Sequence, residues 1–148
     1  VNDDFVDLLR CLLEAEAQFL VVGAHALAVH GVPRATGDLD IWIRCDEQNA
    51  ARAWKGLQAF GAPLHALGIR QADLATPGIV AQIGMPPRRI DILTEISGVR
   101  FDDAWPRRVL RRVGNVEAAF LGREDFRSNK RASGRAKDLA DIEALGDP

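Results

Sequence analysis

Cysteine is scarce in this 148-residue chain: Cys11 and Cys45 are the only two, far apart and without a CxxC or CxxH companion. That argues against a disulfide framework or a thiolate zinc site and suits reduced thiols. An excess of one charge is also lacking. With 19 Lys and Arg against 21 Asp and Glu, the formal net charge is -2, so the chain does not work mainly as a polycation on nucleic acid, although a local basic stretch lies near the C-terminus. No apolar run is long enough to cross a bilayer. The longest, Phe19 to Val29, is interrupted by His25, and the acidic start VNDD lacks the basic region of a secretory signal. Internal repeats, low-complexity tracts and dividing linkers are absent. A cytoplasmic protein with no membrane partner is the expectation.

What is present is the composition of an ordinary globule. At 47% hydrophobic and 27% charged residues the chain has enough apolar surface for a core, and its length fits one domain, 1–148, that buries roughly two-thirds of its unfolded surface. DDFVDLLRCLLEAEA has apolar residues at Phe5, Leu8, Leu9 and Leu12 behind an acidic start, the pattern of an amphipathic helix. QFLVV predicts a short buried strand ending at Gly23, and AHALAVHG a short helix stopped by Gly31 and Pro33. DLDIWIR alternates Leu39, Ile41 and Ile43 with Asp38, Asp40 and Trp42, which predicts a strand with one core face and one acidic face. A helix capped by Asp46 and ended by Gly61 follows, its apolar stripe read as Ala50, Trp54, Leu57 and Phe60. Residues 62–77 read as connecting structure with one helical turn. GIVAQIG and RRIDILTEI read as strands joined at MPP, RVLRRV and VEAAFLG as strands turning at Gly114-Asn115, and REDFRSNKRAS and RAKDLADIEAL as helices separated near Gly134. The fold class is α/β (α+β), a mixed central sheet flanked by helices.

Two carboxylates side by side on a strand, Asp38 and Asp40, need something to offset their repulsion. Alternating acids alone also suit a solvated edge strand, and Asp91 alone suits a partner for Arg88 or Arg89. Taken together, the two acids, a third carboxylate at Asp91 in RIDIL, and a glycine corner at Gly23 in VVGAH read as a divalent-cation site beside a phosphate-binding turn. Phosphoryl and nucleotidyl transfer commonly use two ions about 3.5–4 Å apart, held by such hard oxygen ligands. His25 and His30 lack the spacing of a zinc pair, and no Ser-His-Asp or Cys-His arrangement is evident. Trp42, Trp54 and Trp105 read as core or covering aromatics.

The pieces VGA, DLDI and RIDIL, in that order, resemble the nucleotidyltransferases of the DNA polymerase β superfamily. The resemblance is nearest to the small bacterial minimal enzymes, including relatives of abortive-infection toxins, in which segments like GAHALAVHGVPRATGDLDIWI and SNKRASGRAKDLADIEAL recur. It implies a polymerase-β-like fold in which Asp38, Asp40 and Asp91 hold two Mg²⁺ ions, with Mn²⁺ as a substitute, and act as the catalytic carboxylates. It further implies that Gly23 and Ala24 hold the phosphates of a nucleoside triphosphate, with Ala24 standing where the family has Gly or Ser. Arg34 and Thr36 lie near the metal strand as further phosphate candidates. Lys130, with Arg135 and Lys137 behind it, would contact phosphate from C-terminal helices, 123–145, that close over the nucleotide site. The implied reaction moves a nucleoside monophosphate to an acceptor hydroxyl on tRNA, protein or a small molecule and releases pyrophosphate. The alternative is a catalytically weak or inactive nucleotide-binding interaction protein that works with a partner protein, such as a toxin–antitoxin component.

Overall fold

The first helix starts where the sequence supplies a cap. In the computed structural model, which describes residues 2–32 and 37–146, α1 (Asp3–Glu14) is capped by Asn2, whose side chain accepts from the Asp4 N–H at 2.7 Å, with Asp3 and Asp4 in the first turn. The candidates Arg34 and Thr36 lie outside the described residues. Phe5, Leu8, Leu9 and Leu12 are all buried, as the periodicity of α1 requires. β1 (Phe19–Val22) runs straight into α2 (Gly23–Val29). β2 (Leu39–Ile43) leads to α3 (Glu47–Phe60), capped by Asp46, which accepts from the Asn49 N–H at 2.7 Å.

The buried stripe of α3 is Ala50, Ala53, Gly56 and Leu57, with Trp54 and Phe60 only partly covered. This corrects the expected stripe, and the reason is steric. A Cβ on Gly56 would lie 3.0 Å from the Leu12 Cα, so small residues at 53 and 56 let α1 and α3 close together and push the large rings to the margin. Asn49, 3% exposed, links the strands beneath: its Oδ1 accepts from the Gln18 N–H at 2.7 Å and its Nδ2 donates to the Arg44 carbonyl at 2.8 Å.

β3 (Val80–Ile83), β4 (Ile90–Leu93), α4 (Phe101–Ala104), β5 (Val109–Val113), β6 (Val116–Phe120), α5 (Arg123–Ser133) and α6 (Ala136–Leu145) complete the described elements, with 3₁₀ turns at Gln71–Ala75 and Trp105–Arg107. The six strands form one mixed sheet in the order β3-β4-β2-β1-β6-β5. β2 lies parallel to β4 and antiparallel to β1, and β1 lies parallel to β6.

Register decides which residues share a face. Val22 pairs with Asp40 and Asp40 with Asp91, while Val21 pairs with Ile41 and Ile41 with Ile92. Asp40 and Asp91 therefore stand on one face together with Val22, and Val21, Ile41 and Ile92 on the other. Trp42 stands on the acid face yet is only 2% exposed, because Phe101 of α4 meets it edge-on with ring centroids 5.0 Å apart. Phe101 thus covers this face at Trp42, while Asp40 lies where it opens into a cleft. Among the described residues, no helix is long and apolar enough to cross a membrane.

Candidate active site

β1 ends at Gly23, whose φ of +69° is a conformation that L side chains rarely adopt. The glycine has a second reason. A Cβ there would fall within contact of the Asp40 carboxylate, 3.1 Å from its Cγ, so the bare backbone is what lets the acid lie against the corner. Asp38, just before β2, accepts from the Arg89 N–H at 3.0 Å. Asp91, 9% exposed, stands beside Asp40 in the β2–β4 register. Asp38 and Asp40 of the β2 segment are thereby brought to Asp91 of its parallel neighbour, about fifty residues on in the sequence, beside the Gly23 corner.

They open into a cleft of about 480 Å³, within the range of small-molecule sites. Val22, Gly23, Ala24, Asp38, Asp40 and Asp91 line its floor. Asn129, Lys130, Ser133, Arg135, Lys137 and Asp141 line it from α5, α6 and the turn between them. α5 is fixed there by a two-pronged pair from Arg107 to the buried Asp125, at 2.8 and 3.0 Å, and by Asn129 Nδ2 donating to the Ser97 carbonyl at 2.9 Å.

The electrostatics are those of crowded like charge. Burial and the neighbouring Asp91, by its charge and by a shared hydrogen bond, push the Asp40 carboxyl up to about 6; Asp38 adds to this and Lys130 opposes it. Arg89 answers the remainder. Its Nε donates to Asp91 Oδ1 at 2.8 Å, and its Nη2 lies 3.3 Å from Asp91 Oδ2 and 3.5 Å from Asp38 Oδ2. Of the partners expected for Asp91 if it is not a metal ligand, Arg88 or Arg89, the contact is made by Arg89, and Asp91 also lines the cleft. Among the described residues, no group of three or more His, Cys, Asp or Glu side chains is placed to hold a metal ion as it stands.

Lys130 is 12% exposed, packs against the Phe126 ring at 5.4 Å, and has its Nζ 3.5 Å from Asp138 Oδ1. Asp138 is fully buried, and Arg135 grips it at 2.7 and 3.2 Å. Burial raises the Asp138 pKa, but the hydrogen bond from Arg135 and the charges of Lys130 and Arg135 outweigh it and hold the carboxyl below its ordinary 3.8. Sequence reasoning left out Glu95 and Asp141 of the cleft lining, and also Arg89, which lines it, and Asp138, which lies buried behind Lys130. The signals of the last two were present as local spacings, i+2 on a strand for Arg89 and Asp91, and i+3 on a helix for Arg135 and Asp138. His25 and His30 take structural positions: burial lowers the His25 pKa, and His30 Nε2 bonds the Leu121 carbonyl at 2.8 Å.

The mixed sheet and its flanking helices match a nucleotidyltransferase-like fold among the solved structures. The chain superposes on the crystal structure of a Thermotoga maritima protein described as a "putative nucleotidyltransferase", with a TM-score of 0.57, 15% sequence identity, and coverage of 98% of this chain and 92% of that one. At this identity the likeness is one of fold. No family model and no curated protein matches the sequence.

Proposed function

We propose that the protein is a divalent-cation-dependent nucleotidyltransferase that moves a nucleoside monophosphate from a nucleoside triphosphate to an acceptor hydroxyl. The observation that carries this reading is the in-register pair Asp40–Asp91 lying against the Gly23 corner. The donor set suits Mg²⁺, with Mn²⁺ as substitute. Asp38, Asp40 and Asp91 offer hard oxygen donors in one cleft, and the Asp40 pKa, raised first by burial and then by Asp91, marks a carboxylate whose charge a dication would offset. Bound there, two ions supply Lewis acidity toward the attacking hydroxyl and offset charge on the leaving pyrophosphate.

The remaining work falls to the chain's own residues. Gly23 and Ala24 let the triphosphate approach the backbone, and Lys130, held by Asp138, meets its negative charge, with Arg135 and Lys137 at the rim. Asp91 orients the acceptor hydroxyl and takes up or passes on its proton. As the acceptor oxygen bonds to the α-phosphorus, the bond from that phosphorus to the bridging oxygen breaks, and pyrophosphate leaves with the electron pair. Acceptors of three kinds suit this chemistry: a tRNA end, a protein hydroxyl and a small molecule. A tRNA acceptor predicts binding that weakens steeply with salt through the α5–α6 basic residues.

The test is pyrophosphate release from each nucleoside triphosphate with Mg²⁺ present. Removing a carboxylate ligand by Asp40→Ala costs about 100-fold or more, since lesser changes around metal ligands already cost 10–100-fold; unchanged release by this variant overturns the assignment. The grip of Arg89 on Asp91 and the alanine at position 24 favour a second reading, a nucleotide-binding interaction protein with a protein partner, as in a toxin–antitoxin pair. Triphosphate binding without pyrophosphate release, across the three acceptor classes, selects that reading.

A further inference from the structure

Arg89 touches two of the three cleft acids with four contacts. Its side chain takes both oxygens of Asp91, at 2.8 and 3.3 Å, its Nη2 stands 3.5 Å from Asp38 Oδ2, and its backbone N–H donates to Asp38 Oδ1 at 3.0 Å. Among the described residues, Asp40, with Asp91 and Asp38 as charged neighbours, has no ion pair of this kind. A guanidinium cannot shed its charge, and its fork matches a carboxylate face-on. Whatever cation approaches Asp91 must therefore share or displace Arg89. Displacement is feasible, because residues 89 and 91 share one face of the same chain segment and the Arg89 side chain is 29% exposed, so it can turn toward solvent without burying its charge elsewhere.

We propose that Arg89 is an internal counter-cation that competes with the divalent ion for Asp91 and Asp38 and transfers to the triphosphate once displaced. The inference rests on the reading of the cleft as a metal–nucleotide site and adds to it an order of assembly. A dication arriving alone must evict Arg89 and then sit in one cleft with its displaced positive charge and that of Lys130. Arriving with a triphosphate, it brings the anionic oxygens on which a planar fork binds well. Metal and nucleotide therefore bind cooperatively, and by linkage each tightens the other by the same factor. With Arg89 removed, the metal site is open and the coupling falls.

The experiment is a Mn²⁺ titration followed by electron paramagnetic resonance, where the free ion gives the signal and no turnover is needed. Wild type, Arg89→Met, Arg89→Lys and Asp91→Asn are compared with and without α,β-methylene ATP, after circular dichroism establishes that each is folded. Expected results are Mn²⁺ affinity about 10-fold higher in Arg89→Met than in wild type without nucleotide, and nucleotide coupling of about 10-fold in wild type that shrinks in Arg89→Met. Arg89→Lys, which keeps the charge without the fork, lies between. Equal Mn²⁺ affinity and equal coupling in wild type, Arg89→Met and Arg89→Lys overturn the counter-cation, while loss of Mn²⁺ only in Asp91→Asn leaves the metal site standing. Absence of Mn²⁺ binding in every protein, with and without the analogue, removes the metal reading and this inference together.

Discussion

Replacing Asp40 by Asn removes one charge from the crowded trio while keeping a side chain of the same shape that can still bond Asp91. The native carboxyl is pushed from 3.8 to about 6, mainly by burial and then by Asp91. At 1.36 kcal/mol per pKa unit, this makes ionised Asp40 a native-state cost of about 3 kcal/mol. The sign follows from proton uptake. Between 3.8 and about 6 the folded state binds the proton more tightly than the unfolded chain, so the stabilising contribution is complete below 3.8 and is lost as pH rises through about 6. In urea denaturation with a chelator present, Asp40→Asn is therefore more stable than wild type by up to about 3 kcal/mol at pH 7.5. The two converge near pH 4. In melting temperature the gain at neutral pH is roughly 6–12 °C for a domain of this size. Millimolar Mg²⁺ then raises the wild type toward the variant and leaves the variant unmoved. A variant no more stable than wild type at pH 7.5, or an advantage that grows on acidification, refutes the electrostatic account of the cleft.

Further outcomes follow from the same contacts. Gly23→Ala places a methyl group against the Asp40 carboxylate at a φ of +69°, and costs about 2–3 kcal/mol in chemical denaturation while displacing the acid. Asp138→Asn leaves Lys130 and Arg135 without their buried partner; it costs about 3 kcal/mol at pH 7. Because the Asp138 pKa is held down, that contribution is present above 3.8 and lost as pH falls through the lower folded value, so wild type and variant draw together in acid. Lys130→Met removes a positive charge from the cleft wall and raises KM for the triphosphate about 10-fold, with folding measured by circular dichroism unchanged; an unaltered KM excludes Lys130 from phosphate contact.

Local patterns made much of this architecture legible before any coordinates. Strict alternation at Leu39, Ile41 and Ile43 declared β2, Asp46 and Gly61 bounded α3, and Ile90 and Ile92 aimed Asp91 at the opposite face. What escaped depends on distance in sequence or on elements too short to carry a period. α4 spans only Phe101–Ala104, yet it covers Trp42 and so decides where the open cleft begins. The spacing of Arg89 and Asp91 suggests a pair, but contact with Asp38 arises only from the parallel alignment of β2 and β4, which no local pattern encodes. In the same way Lys130 reads as one cation in a basic run until the packing of α6 on α5 brings Asp138 to it.

The most direct measurement is calorimetric titration of a nucleoside triphosphate into the protein with Mn²⁺ present and with it withheld, using wild type and the Asp40→Asn, Asp91→Asn double variant. Tight binding that needs both the ion and the two carboxylates is the predicted result. Equal binding by the double variant, or a wild type that takes up triphosphate no better with the ion than without it, contradicts a metal–nucleotide role for these acids.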